Sequence, residues 1–252
     1  MLQNIRQAAG RGRPTDDGLL VIEGPHLLQE IASSRWQVKT LLFTPETFPA
    51  WELYAREHGV ETVVVPARTF SSLSSTETTQ GVMAVVQPRL SQWEDFEISS
   101  VLIVVLDAVQ DPGNAGTIIR SAEAFNATGV VLLEHSARLS NGKLMRASAG
   151  SLFRMPVLEA VPRSEFLSVA RQHQWTLAAL DAAGQVAISD FSFTSGCALI
   201  VGSEGRGVSP DLLACATSVN IPASRIESLN AAAACSIALY EASRQRRKHE
   251  PV

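Results

Sequence analysis

Two rhythms of apolar and polar positions alternate along the first 65 residues. The stretches "LLVIEG", "VKTLLFT" and "VETVVVP" are short apolar runs rich in branched side chains. Between them "PHLLQEIASS" and "PAWELYAREHG" repeat apolar residues at helical spacing. That order predicts a small α/β unit over residues 19 to 65. The polar, aperiodic stretch "RLSQWEDFEISS" then reads as a linker, which places a domain boundary near residue 95 and divides the chain into 1–95 and 96–252.

Past that linker the apolar run "VLIVVLDAV" has the length and composition of a strand buried on both faces. Further strands are expected at "GVVLLE", "WTLAALDA", "CALIVGSE" and "SVNIPA", with helices at "SEFLSVARQHQ" and in the long final segment "SLNAAAACSIALYEASRQRRK". Strands alternating with helices predict a mostly parallel sheet covered on both faces, an α/β fold whose ligands sit beyond the carboxyl ends of the strands. The loops leaving those ends are therefore the places to look for chemistry.

Composition narrows the class. A chain of 252 residues, 46% of them hydrophobic, can bury about 70–75% of its unfolded surface as one large or two small domains. No apolar run reaches the roughly 18–20 residues of a membrane helix, and "MLQNIRQAAGRGRPTDDG" has no signal-peptide core, so a cytoplasmic location and no membrane partner are expected. Cys197, Cys215 and Cys235 are widely spaced and odd in number, which disfavours disulfides and a structural zinc; no metal is expected. With a formal charge of -4, any nucleic-acid site must be local. The candidates are Arg6, Arg11 and Arg13, then Arg138, Lys143, Arg146 and Arg154, then Arg244, Arg246, Arg247 and Lys248, although each cluster taken alone reads as a solvated face.

Three loops carry candidate chemistry. In "DPGNAGTIIRSAEAF", Ile118, Ala122 and Phe125 fall on one helical stripe, and Arg120 points nearly opposite. A surface Arg120 paired with Glu123, and Asn114 serving only as a helix cap, would by themselves account for the pattern. "VGSEGRGVSP" packs three glycines into six positions, which allows close backbone approach to a ligand, but its spacing departs from the G-x-G-x-x-G of dinucleotide binders and disfavours an oxidoreductase. In "NIPASRIESLNAAAACSIALYEA", Ser224 and Glu227 have the spacing of a capping box, and the small residues Ala231 to Ala234 admit a close neighbour, either a helix or a ligand.

Taken in this order, the three loops resemble the motifs of the SpoU or TrmH family of RNA ribose 2'-O-methyltransferases, within the SPOUT superfamily. The first motif, N-x-G-x-x-x-R, is matched by Asn114, Gly116 and Arg120; the second, a glycine-rich loop around a Glu, by Gly202 to Gly207 with Glu204; the third by Ile221, Pro222, Glu227, Ser228, Leu229 and Asn230. "KLMRASAGSLFRMPV" also looks like the family, so the likeness spans roughly residues 100 to 245. "VIEGPHLLQEI" and "SSTETTQGVMAVV" are similar to the RNA-binding domain, related to a small ribosomal-protein fold, that many rRNA-directed members carry. Two departures stand out: Ala232 where members often have Ser, and Ser203 where they often have Asn, which bear on cofactor contacts rather than on the reaction.

The resemblance implies a C-terminal SPOUT domain with a deep trefoil knot, preceded by a small α/β RNA-binding domain. It implies S-adenosylmethionine held by the loop after "TLAALD", the Gly202 loop and the 221–230 segment, with Leu180, Gly202, Ile221 and Leu229 as cofactor-binding positions. It implies methyl transfer to a ribose 2'-hydroxyl of RNA, with 23S rRNA the expected substrate, by a homodimer with shared sites. Catalytic roles fall to Asn114, Arg120, Glu204, Ser228 and Asn230. A guanidinium stays charged at ordinary pH, so Arg120 is expected to grip a phosphate and stabilise oxyanion charge rather than act as a base. Asn114 would orient the ribose or Arg120, Glu204 would position those partners, and Ser228 with Asn230 would touch cofactor and nucleotide. The alternatives are a tRNA ribose or base methyltransferase and a non-catalytic RNA-binding protein of the same fold.

Overall fold

The computed structural model describes residues 2–74, 76, 78–96, 101–223 and 228–247, with Arg11 described by its backbone. The chain divides into two compact units, Met1–Arg89 with Arg138–Arg154, and Leu90–Ala137 with Met155–Val252. Residues 138–154, counted with the second half in the sequence reading, thus group with the first.

The first unit runs α1 (Leu2–Arg11), β1 (Leu20–Glu23), α2 (Pro25–Ala32), β2 (Gln37–Phe43), α3 (Phe48–His58), β3 (Glu61–Val64), α4 (Ala67–Leu73) and β4 (Val82–Gln87). Its sheet has the order β1-β4-β2-β3, with β4 antiparallel to both neighbours and β2 parallel to β3. The apolar run of β4 occupies a central position, and Met83 and Val85 pack with Leu42, Phe70, Leu73 and the Ile5 side chain of α1. The discontinuous part joins through side chains: Trp36 meets Phe153 edge-on with centroids 5.0 Å apart, and the Ser140 hydroxyl donates to the Gly12 carbonyl at 2.6 Å.

The second unit contains β5 (Leu102–Asp107), α5 (Pro112–Ala124) and β6 (Gly129–Leu133); the chain then passes through α6 (Gly142–Ala147), which belongs to the first unit. It continues with β7 (Val157–Val161), α7 (Arg163–Gln172), β8 (Thr176–Leu180), β9 (Val186–Ala187), β10 (Cys197–Gly202), α8 (Pro210–Leu213), β11 (Thr217–Asn220) and α9 (Ala231–Arg247). Seven strands pair in the order β7-β6-β5-β10-β8-β11-β9, every pair parallel. The continuous apolar runs of β5 and β10 sit at the centre with every residue buried, as a parallel sheet covered on both faces requires.

Alternation along these strands sorts the core. Ile103, Val105, Val131, Ala198 and Ile200 face Phe166 and Ala170 of α7. α5 and α9 pack together; α5 buries Ala115, Ile118, Ile119 and Ala122, and α9 buries Ala232, Cys235, Ala238 and Leu239. Small residues on α9 let the two backbones approach, and the Ser121 and Ser236 hydroxyls hydrogen-bond at 2.8 Å. Each fully buried isoleucine of α5 contributes about 1.5–3 kcal/mol. No helix among the described residues is long and apolar enough to cross a membrane.

Candidate active site

The strand register determines where the loops meet. Gly202 pairs with Asp107, so β5 and β10 end at the same level, and β8 and β11 release their loops beside them. Beyond these ends lies a cavity of about 570 Å³. Its walls come from Leu180 to Ala182 after β8, Val201 to Gly207 after β10, Val219 to Ala223 after β11, and Ser228, Leu229, Ala231 and Ala234. The volume is that of a cofactor-sized pocket. Leu180, Val201, Ile221 and Leu229 supply apolar wall, and Asp181 and Glu204 supply carboxylates suited to a cationic ligand.

The Gly202 loop is a tight hairpin rather than a flexible turn. Ser203 N–H donates to the Gly207 carbonyl at 3.2 Å, and Gly207 N–H returns a bond to the Ser203 carbonyl at 2.9 Å. Gly207 has φ +66°, the left-handed region that favours glycine. The tip carries Glu204, Gly205 and Arg206, all exposed.

At the start of α5, Asp111 is the helix cap: its carboxylate accepts from Asn114 N–H at 2.8 Å, with Pro112 in the first turn. The capping role considered for Asn114 is thereby filled by Asp111, and the Asn114 side chain is engaged elsewhere. Asn114 Nδ2 donates to Glu204 Oε1, and Asn114 Oδ1 accepts from Asn230 Nδ2 at 3.1 Å. Asn230 also caps α9, its Oδ1 accepting from Ala232 N–H at 3.0 Å and Ala233 N–H at 3.2 Å. Ser224 and Glu227, the capping box expected there, lie outside the described residues.

Asn114, Glu204 and Asn230 therefore form one hydrogen-bonded chain joining all three loops. Leu180, Gly202, Ile221, Ser228 and Leu229 line the cavity together with Glu204. Arg120 stands apart from both groups. It lies on α5 about 9 Å further along the axis than Asn114 and about 120° around it. It is exposed, as its position opposite the Ile118–Ala122 stripe predicts, and makes no hydrogen bond or ion pair among the described residues. The pairing with Glu123 considered above is not formed.

The C-terminal basic cluster has a structural occupation. Arg246 donates to the carbonyls of Phe193, Val101 and Ser195, each at 2.8 Å, and Arg244 pairs with Glu241. Lys248 lies outside the described residues. Arg154 of the middle cluster pairs with Glu30. Sequence reasoning passed over Asp107, a carboxylate only 2% exposed at the end of β5. The signal was present: an acidic residue closing an otherwise wholly apolar strand.

A parallel α/β sheet with a cofactor-sized cavity at its carboxyl edge, and a carboxylate–amide chain joining the loops there, defines a loop-built ligand site of the α/β class. Residues 101–240 match the SpoU rRNA Methylase family, and residues 3–84 match the MRM3-like substrate binding domain. The chain belongs to the SpoU rRNA methylase family. It is 32% identical over 229 residues to the 23S rRNA (guanosine(2553)-2'-O)-methyltransferase RlmP of Bacillus subtilis, covering 90% of this chain and 89% of that one. It is also 32% identical over 252 residues to the 23S rRNA (uridine(2479)-2'-O)-methyltransferase of Streptomyces viridochromogenes, covering 94% and 86%. Among solved structures, the SpoU methyltransferase AviRb of Streptomyces viridochromogenes in complex with AdoMet superposes with a TM-score of 0.87 at 29% identity, over 98% of this chain and 97% of that one.

Proposed function

We propose that this protein transfers a methyl group from S-adenosylmethionine to a ribose 2'-hydroxyl of large-subunit ribosomal RNA. The observation that carries the reading is the Asn230–Asn114–Glu204 chain on the rim of the 570 Å³ cavity, because it joins the three family motifs at one place. The residues fit the cofactor. Gly205 and Gly207, where an added Cβ would meet nothing within 4 Å, leave room for close backbone approach, the apolar walls suit an adenine, and the carboxylates of Asp181 and Glu204 in the lining would suit a positive charge. S-adenosylmethionine supplies an activated methyl on a sulfonium; the protein aligns the hydroxyl and manages its proton.

Asn114 is held from both sides, its amide donating to Glu204 and accepting from Asn230, so its orientation is fixed before substrate arrives. Arg120, with no partner among the described residues, is available to a phosphate and to developing negative charge on the ribose oxygen. Its distance from the rim of its own chain favours a homodimer in which one protomer's Arg120 serves a shared site. Support for a docking face comes from α9, where Ile237 is 41% and Tyr240 51% exposed, with Tyr240 stacked edge-on against Phe125 of α5. The trefoil knot and the cytoplasmic setting implied by the family belong to the same proposal.

Labelled methyl transfer to 23S rRNA, followed by mapping of the alkali-resistant linkage, tests the reaction and locates the nucleotide together. Absence of transfer to any rRNA, with label appearing in tRNA or not at all, would refute it. Light scattering of the intact chain and of Tyr240→Arg tests the dimer.

A further inference from the structure

The root of the Gly202 hairpin is held by an ionic clamp, built on the buried carboxylate of Asp107, that the family motifs leave out. Asp107 Oδ2 accepts from Ser209 N–H at 2.7 Å, and Asp107 Oδ1 accepts from Arg163 Nη2 at 3.3 Å. Arg163, the first residue of α7, also reaches Asp211 of α8 through Nη1 at 3.2 Å. Asp107 is simultaneously the strand partner of Gly202. One residue thus fixes both ends of the loop: its backbone register sets where the chain enters at Gly202, and its carboxylate sets where it leaves at Ser209. With both ends held and the Ser203–Gly207 bonds closing the neck, the tip has little freedom, and Glu204 is delivered to Asn114.

Stability alone is a poor explanation of the arrangement. Burying a carboxylate costs several kcal/mol, and an ion pair in such a place is often no better for the fold than apolar residues of the same volume. Arg163 Nε, moreover, is buried with no partner among the described residues. Burial alone would lower the Arg163 pKa, but Asp107 and Asp211 reverse this and hold it above the ordinary arginine value. What the clamp supplies that an apolar pair could not is a directed bond to one backbone N–H.

We propose that Asp107 is a positioning residue for methyl transfer, setting the cofactor wall and the reach of Glu204 through the Ser209 amide, with Arg163 holding the carboxylate in line. This rests on the functional reading above. The experiment measures S-adenosylmethionine affinity by calorimetry, single-turnover methyl transfer, RNA affinity and melting temperature in the full chain. Asp107→Ala is expected to weaken cofactor binding by about tenfold or more and to slow transfer at saturating cofactor, with RNA affinity held within about twofold. Asp107→Asn keeps an acceptor for the Ser209 amide and is expected to restore cofactor affinity to within about threefold of the unaltered chain. Arg163→Gln leaves Asp107 and the Ser209 amide in place but removes the guanidinium that holds the carboxylate in line, and is expected to reproduce part of the Asp107→Ala defect in cofactor affinity; it decides the matter if Asp107→Ala does not fold. A purely structural role would lower the melting temperature while leaving affinity per folded molecule unchanged. That result, or an Asp107→Asn enzyme as impaired as Asp107→Ala, overturns the proposal. An unaltered chain that neither binds the cofactor nor methylates RNA overturns the functional reading instead, before any substitution is made.

Discussion

An alanine at position 202 tests the hairpin as a built object. The added Cβ would lie 2.0 Å from the Gly207 carbonyl carbon, 2.2 Å from its oxygen and 2.2 Å from Val208 N. Carbon contacts are comfortable at about 3.5–4.0 Å, and all three obstructing atoms are backbone, so the neck of the loop must open by about 1.5 Å. The Ser203–Gly207 bonds, at 3.2 and 2.9 Å, do not survive such an opening. Two bonds at about 1 kcal/mol each amount to about 2 kcal/mol. For a unit of this size that corresponds to a fall of about 4–8 °C in melting temperature. The functional cost is larger, because displacement by an ångström in a site of this kind costs on the order of a hundredfold in rate. Two neighbouring glycines supply the controls. A Cβ at Gly205 meets nothing within 4 Å, so Gly205→Ala should stay within about 0.5 kcal/mol of the unaltered chain. Gly207 also has open space but φ +66°, so Gly207→Ala should cost about 1 kcal/mol through backbone strain alone. The assay is melting plus calorimetric titration with S-adenosylmethionine for all three variants. Equal behaviour at 202 and 205 would show that the hairpin does not shape the cofactor wall.

Other outcomes follow from the same geometry. Asn114→Ala and Arg120→Ala should each lower single-turnover transfer by on the order of a hundredfold with unchanged melting, and mixing the two variants should restore activity if the sites are shared between protomers. Arg246→Ala strips three carbonyls of a charged donor and should cost about 3 kcal/mol, or about 6–12 °C, with Arg246→Lys recovering part. Burial pushes the Cys197 thiol up to about 11, opposed by Thr176 and Arg246, so the neutral thiol is favoured in the folded state. That contribution is whole below pH 9 and is lost as pH rises towards 11, about 3 kcal/mol in all, so denaturation midpoints should fall more steeply over this range than in Cys197→Ala. At pH 8 a thiol reagent should label Cys215 in the native protein and all three cysteines only after unfolding.

The sheet of the second unit was legible because its central strands, "VLIVVLD" and "CALIVG", are unbroken apolar runs that parallel pairing demands. β7 was not, since Glu159 interrupts it and its middle residues are solvent-facing at the sheet's edge. α1 escaped notice for a related reason: its apolar stripe is narrow, with Ile5 and Ala8 as its buried residues. Within the site, Asn114, Glu204 and Asn230 were legible as types and are joined by hydrogen bonds. The separation of Arg120 was hidden because sequence spacing fixes its place on a helix but not what that turn of helix faces. Asp107 and Arg246 share another blind spot. Their partners, Ser209 and the Phe193, Val101 and Ser195 carbonyls, lie far away in sequence, so pattern alone reduced them to a strand end and a basic tail.

The membership of residues 138–154 in the first unit governs how the molecule can be dissected and how it is made. A fragment ending at Arg89 would leave Trp36 without Phe153 and Glu30 without Arg154. During synthesis, the amino-terminal unit stays incomplete until the ribosome has delivered residue 154, by which time two strands of the other unit, β5 and β6, have been made. Birth order and folding order are therefore uncoupled in this polypeptide, and truncation libraries should find no autonomous module in its opening third.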